Sequence, residues 1–157
     1  RVLNMATLGL AEALKGARET KNVTLKVEAL QKIPEDTKQQ LFGVFQLAYS
    51  DKIRWVLPEG DPPYTPLEES SDAQGRLIME LKNFSYFIAR VEDKKIVPVQ
   101  GNVPMIKREN LFIQILGSIQ PEDAELVLQM KNREIKGVSK NVVAKAFPEL
   151  GLQDANV

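Results

Sequence analysis

Along most of the chain the apolar positions recur every three or four residues, the interval of one helical face. Leu8, Leu10, Ala11 and Leu14 form a short set, which Gly16 is expected to end. Val23, Val27 and Leu30 repeat at the same spacing, with Lys26 and Glu28 on the opposite face. Pro34 suits the first turn of the next helix, and Glu35 and Asp36 suit its positive end. That helix carries Leu41, Phe42, Val44, Phe45, Ala48 and Tyr49, a face broad enough to be central to a core. Gly43 in its middle weakens it by about 1 kcal/mol, which points to a close helix crossing there. Ile53, Trp55, Val56 and Leu57 follow, either extended or in a last helical turn.

The pattern then stops. Residues 58–72 contain four prolines and five acids and no base, so they read as an acidic surface loop, polyproline-like at its start. Helical spacing resumes near Ala73 and runs through Leu77, Leu81, Phe84, Phe87 and Ile88. Residues 91–106 form an irregular connection broken by Pro98, Gly101 and Pro104; Ile96, Val97 and Val99 could be strand-like, but nothing nearby reads as a partner strand. The last third predicts three short helices: Lys107 to Leu116, one opened by Pro121, and one capped by Ser139 and stopped by Pro148. The expectation is an all-α single domain over 1–157 with six or seven helices, its residues 1–4 read as a leader ahead of Met5.

Composition narrows the chemistry. There is no histidine and no cysteine, which excludes Cys/His zinc sites, cysteine nucleophiles, Ser-His-Asp triads and disulfides. No apolar run approaches the ~18 residues of a membrane span, and no signal segment is legible, so an intracellular protein without membrane contact is expected. Neither a phosphate-binding Gly-x-x-x-x-Gly-Lys nor a dinucleotide Gly-x-Gly-x-x-Gly occurs. The densest acidic group, Glu122-Asp123-Ala124-Glu125, reads as a solvated first helical turn rather than a metal site. No catalytic residue, metal or cofactor is assigned.

The neutral total of 21 bases against 21 acids conceals an uneven distribution. Lys131, Arg133, Lys136, Lys140 and Lys145 crowd one segment against Glu134 alone. With Gly137 and the capping Ser139, this basic turn is a candidate phosphate seat, or else an ordinary basic surface turn. Lys94, Lys95, Lys107 and Arg108 would widen such a patch. Trp55 and Tyr64 flank the acidic loop; they either pin it to the core or, with Glu59 and Asp61, offer a protein-binding surface.

Two segments carry a resemblance. Lys26-Val-Glu-Ala-Leu-Gln-Lys, then Leu41-Phe-Gly-Val-Phe-Gln-Leu-Ala-Tyr-Ser50 and Ile53-Arg-Trp, resembles the N-terminal DNA-binding domain of bacteriophage-type ATP-dependent DNA ligases. Asp123 to Ser139 and Asn141 to Leu150 resemble that domain's basic turn and closing helix. The 57–64 loop is similar to a signature of small proteins of large contractile-tailed bacteriophages. The resemblance implies a non-catalytic protein in the cytoplasm of an infected bacterium that grips duplex DNA, nicked or intact, through phosphates and without sequence specificity. Its implied contacts are Lys131, Arg133, Lys136, Gly137, Ser139, Lys140 and Lys145. The ligase catalytic domains are missing, so ligation by this chain alone is not expected. The alternative is an interaction module that uses the acidic loop to bind a phage or host protein.

Overall fold

The computed structural model describes residues 9–68 and 77–152. The 1–4 leader, Leu8, and the 69–76 part of the acidic loop and following helix lie outside the described residues. Among the described residues, eight α-helices accompany a small sheet: α1 Leu10–Ala13, α2 Lys15–Glu19, α3 Val23–Gln31, α4 Glu35–Tyr49, β1 Ile53–Trp55, α5 Leu77–Glu80, β2 Ile88–Glu92, β3 Lys95–Pro98, α6 Met105–Ser118, α7 Pro121–Lys131 and α8 Lys140–Ala146. Two 3-10 helices, Leu81–Phe87 and Pro148–Leu150, complete the description.

The core is where the helical pattern placed it. Leu41, Val44, Phe45, Ala48 and Tyr49 of α4 are buried together with Leu126, Val127 and Met130 of α7. Phe84, Phe87 and Phe112 meet edge to face, and the Trp55 ring packs edge-on against Phe84 and Phe112. Asn22 caps α3 through Leu25 N–H, and Ser139 caps α8 through Val142 N–H at 3.3 Å. Gly16 does not end a helix; the break falls at Leu14, and Gly16 sits inside α2. Gly43 marks no crossing, since a Cβ there would meet nothing within 4 Å.

The all-α expectation fails. Residues 53–55, 88–92 and 95–98 form a three-stranded antiparallel sheet in the order β1-β2-β3, so the domain is mixed α and β. Trp55 therefore lies on a strand, the helix expected through Ile88 ends at Phe87, and the 91–106 connection contains a hairpin. Asp93 and Lys94 both have positive φ, 49° and 66°, as a two-residue type I′ turn requires. The strands hold three to five residues, too short for alternation to stand out from the helical spacing around it. An Asp-Lys turn also lacks the Asn-Gly or Asp-Gly signature that would have announced it.

Candidate functional site: the basic turn and the acidic strap

The turn between α7 and α8 begins where α7 stops at Lys131. Lys131 is 9% exposed, and its Nζ donates to the Gly60 carbonyl at 2.9 Å. Arg133 adopts φ 63° and turns its guanidinium back onto the end of α4. It donates to the carbonyls of Leu47, at 3.1 Å, and of Ser50. The last carbonyls of a helix have no partner within it, so Arg133 caps α4 and adds a favourable charge at its negative end. The Trp55 indole N–H donates to the same Leu47 carbonyl at 2.9 Å. Burial pulls the Arg133 guanidinium below its usual range; Asp51 acts against that shift.

Lys140 forms an ion pair with Asp51 at 3.2 Å. Three of the five cations in the turn thus serve acceptors of the chain itself. The side chains of Lys136 and Lys145 are exposed. Gly137 has φ 79°, and a Cβ there would come within 3.1 Å of the Arg18 Cα, so glycine is required on two counts. Lys26 clamps the same point, with Nζ donating to the carbonyls of Ala17 at 2.9 Å and Gly137 at 2.6 Å. Tyr49, buried in α4, donates to the Val138 carbonyl at 2.6 Å and accepts from Ile135 N–H at 2.9 Å. Ser139 is exposed, but its hydroxyl is engaged as the cap of α8. Arg108 does not widen the patch: it is 4% exposed and donates to the carbonyls of Tyr86, Gln100 and Val103.

The described part of the acidic loop, 58–68, is a strap laid against α6 and the end of α7. Lys131 holds it at Gly60, and Asn132 Nδ2 donates to Asp61 Oδ1 at 3.1 Å. Farther along, a Cβ at Gly117 would sit 3.0 Å from the Thr65 carbonyl, so a side chain there would push the strap outward by a few tenths of an ångström. Tyr64 is half-buried and packs on the core; burial first, then Glu125 and Asp61, raise its hydroxyl's pKa. Glu59, Asp61 and Glu68 face water, and neither ion pair found among the described residues includes them. Under the strap lies a cavity of about 210 Å³ with Phe112 and Lys131 in its lining; a second, of about 620 Å³, opens between Thr65–Glu68 and Ile113–Ser118.

The acidic cluster at the start of α7 does not face water as a whole. Glu122 and Glu125 do, but Asp123 is buried and accepts from Ala11 N–H at 3.0 Å, capping α1 from another helix. Burial raises its pKa; the Ala11 hydrogen bond opposes this, and Glu122 and Glu12 add to it. Among the described residues no group of three or more His, Cys, Asp or Glu could hold a metal, and no helix is long and apolar enough to cross a membrane.

A family model covers residues 13–137, the greater part of the chain. The chain belongs to DUF6433, a family of unknown function. No curated protein and no solved structure matches it. The DUF6433 match spans the strap and the turn as far as Gly137, and stops before Ser139, Lys140 and Lys145.

Sequence reasoning missed the acceptors in this DUF6433 chain. Nothing local marks Gly60, Leu47, Ser50 or Asp51 as partners of cations some 70 to 90 residues away. The proximity of Lys26 and Arg18 to Gly137 is equally silent in the sequence.

Proposed function

We propose that this chain is a non-catalytic protein-interaction module and that the acidic strap is the surface it presents. The observation that carries this reading is the strap's fixed backbone combined with outward carboxylates. Lys131, Asn132 and the bare Gly117 hold residues 60–65 in place. No ion pair among the described residues includes Glu59, Asp61 or Glu68. An extended, proline-rich segment that is already ordered loses little entropy on docking. Unpaired surface acids steer a basic partner and make its association depend on salt.

The test is co-purification with a nuclease step, comparing wild type with Glu59→Gln/Asp61→Asn/Glu68→Gln. Partners that survive nuclease and disappear with the neutralised strap are the expected result. If the same partners are retained by the variant, or are all lost on nuclease treatment, the strap is not the docking element.

A second reading, binding of duplex DNA through phosphates, follows from the ligase-type resemblance and has one supporting observation. Gly137 rests on Arg18, which sets Lys136 beside α2 and α3, where Lys15 and Lys21 are also exposed. With Lys131, Arg133 and Lys140 engaged internally, DNA contacts would fall to Lys136, Lys145, Lys15 and Lys21. Binding of nicked and intact duplex across a salt series checks it, with Lys136→Glu/Lys145→Glu as the variant. Affinity that falls with salt and vanishes in the variant supports DNA binding. No binding at low salt removes it.

A further inference from the structure

The space beneath the strap has a composition of its own. Its floor is apolar: Phe112 is 1% exposed, and Leu57 is half-buried beside the same cavity. Its walls are acidic. Glu59 and Asp61 come from the strap, and Glu109 comes from α6. Among the described residues, the one cation that shares the lining with these three carboxylates is Lys131. Lys131 is 9% exposed, and its Nζ is committed to the Gly60 carbonyl at 2.9 Å as the strap's tether.

The carboxylates are placed but not neutralised. Asp61 Oδ1 accepts from Asn132 Nδ2 at 3.1 Å, which fixes the direction of that group. No ion pair among the described residues includes Glu59, Asp61 or Glu109. The two strap acids are exposed at the rim, whereas Glu109 is half-buried. A charge partly withdrawn from water gains more from an incoming counter-charge than a fully solvated one does. At about 210 Å³ the cavity lies below the roughly 300 Å³ at which pockets for drug-sized ligands begin, and has room for a single side chain. An anion there would meet three carboxylates for one ammonium that is already engaged. A purely apolar group would strip water from those carboxylates without return. The occupant that suits both floor and walls has an apolar stem and a cationic head.

Resting on the reading that the strap is the docking surface, we infer that this cavity receives one arginine side chain of the partner protein. Its stem lies against Phe112 and Leu57, and its guanidinium reaches Glu109 and the strap acids. Arginine suits the site better than lysine. The flat guanidinium lies on aromatic surface and fans its donors toward acceptors on two elements, whereas an ammonium is a compact, strongly hydrated charge. Arginines seated in pockets are among the side chains on which interfaces concentrate their energy. Glu109, a residue of α6 outside the strap, thereby takes part in choosing the partner.

The probe is a capped glycine pentapeptide with one central arginine, titrated into the full chain and followed by backbone amide NMR. Peptides with citrulline or glutamate in that place, and free arginine, are the comparisons. Expected are shifts at Gly60, Glu109 and Phe112 with the arginine peptide and none with its neutral citrulline counterpart, a comparison that needs no variant. Glu109→Gln should weaken binding about tenfold through loss of a charge-assisted contact, while Glu149→Gln, outside the cavity, should leave it unchanged. Urea denaturation checks that both variants fold. Absence of shifts with the arginine peptide overturns the inference, as does equal binding of the citrulline peptide or indifference to Glu109→Gln. Preference for the glutamate peptide overturns it in favour of an anion at Lys131. Tighter binding of free arginine than of the peptide overturns it in favour of a small-molecule pocket. In co-purification, Glu109→Gln should lose the partners that the neutralised strap loses. Partners that need the strap acids but ignore Glu109 overturn the insertion and leave the strap reading standing; partners that ignore the strap acids remove that reading and this inference with it.

Discussion

The basic turn and the acidic strap lie against one another, and they treat their charges in opposite ways. In the turn, Lys131, Arg133 and Lys140 end on a carbonyl of the strap, on the Leu47 and Ser50 carbonyls at the end of α4 and on Asp51. In the strap, Glu59, Asp61 and Glu68 stay in water. Long cationic side chains can lay their stems along apolar surface and deliver donors to buried carbonyls, which short carboxylates cannot do. Backbone carbonyls at the end of a helix need donors, so basic residues are the ones recruited inward. A cluster of cations in a sequence is therefore weaker evidence of an anionic ligand than an equally dense cluster of acids is of exposure.

The largest effect expected from breaking this contrast is at Arg133. Arg133→Ala leaves the Ser50 carbonyl with only the long bond from Ile53 N–H at 3.4 Å and the Leu47 carbonyl with the Trp55 indole alone; the loss should be about 1–3 kcal/mol, read by urea denaturation. A variant as stable as wild type would mean that the guanidinium is not structural.

A smaller effect is expected at Lys131. Lys131→Met keeps the aliphatic stem and drops the bond to Gly60, with a loss of about 1–2 kcal/mol. Limited proteolysis should then cut within 58–68 sooner than in wild type. Unchanged cleavage would show that the strap does not depend on this tether.

The smallest effect concerns Asp123, the acid that departs from the outward rule. Its pKa in the fold is raised, chiefly by burial. The stability it contributes is therefore fully present below the unfolded value of about 4 and is lost as pH rises through the folded value. Asp123→Asn keeps an oxygen for Ala11 N–H and removes the titration. It should match or exceed wild type at pH 7 by up to about 1 kcal/mol and show a flatter stability profile above pH 4. Denaturation at several pH values checks this; a wild type that gains stability relative to the variant as pH rises would reverse the sign.

How much of this was legible beforehand varies by element. Helix α4, Pro121 at the start of α7 and the Ser139 cap follow from local rules, because spacing, proline geometry and side-chain capping act within a few residues. Residues 58–68, the described part of the acidic loop, carry neither helix nor strand, as their prolines suggest. The sheet was not, since β1 pairs with β2 across more than 30 residues and neither strand is long enough to show a period of its own. The candidate site was half legible: its residue types were plain and their directions were not. Lys136 and Lys145 face outward as a basic surface turn should, while Arg133 and Lys131 face inward.

The sequence by itself determined the helical core, the caps and the absence of histidine and cysteine chemistry, all of which depend on residue identity and near neighbours. Tertiary structure alone decided which charges remain exposed. A lysine or arginine side chain reaches several ångströms in any direction, and only the packed arrangement of α4, the strap and the turn puts a carbonyl at its tip.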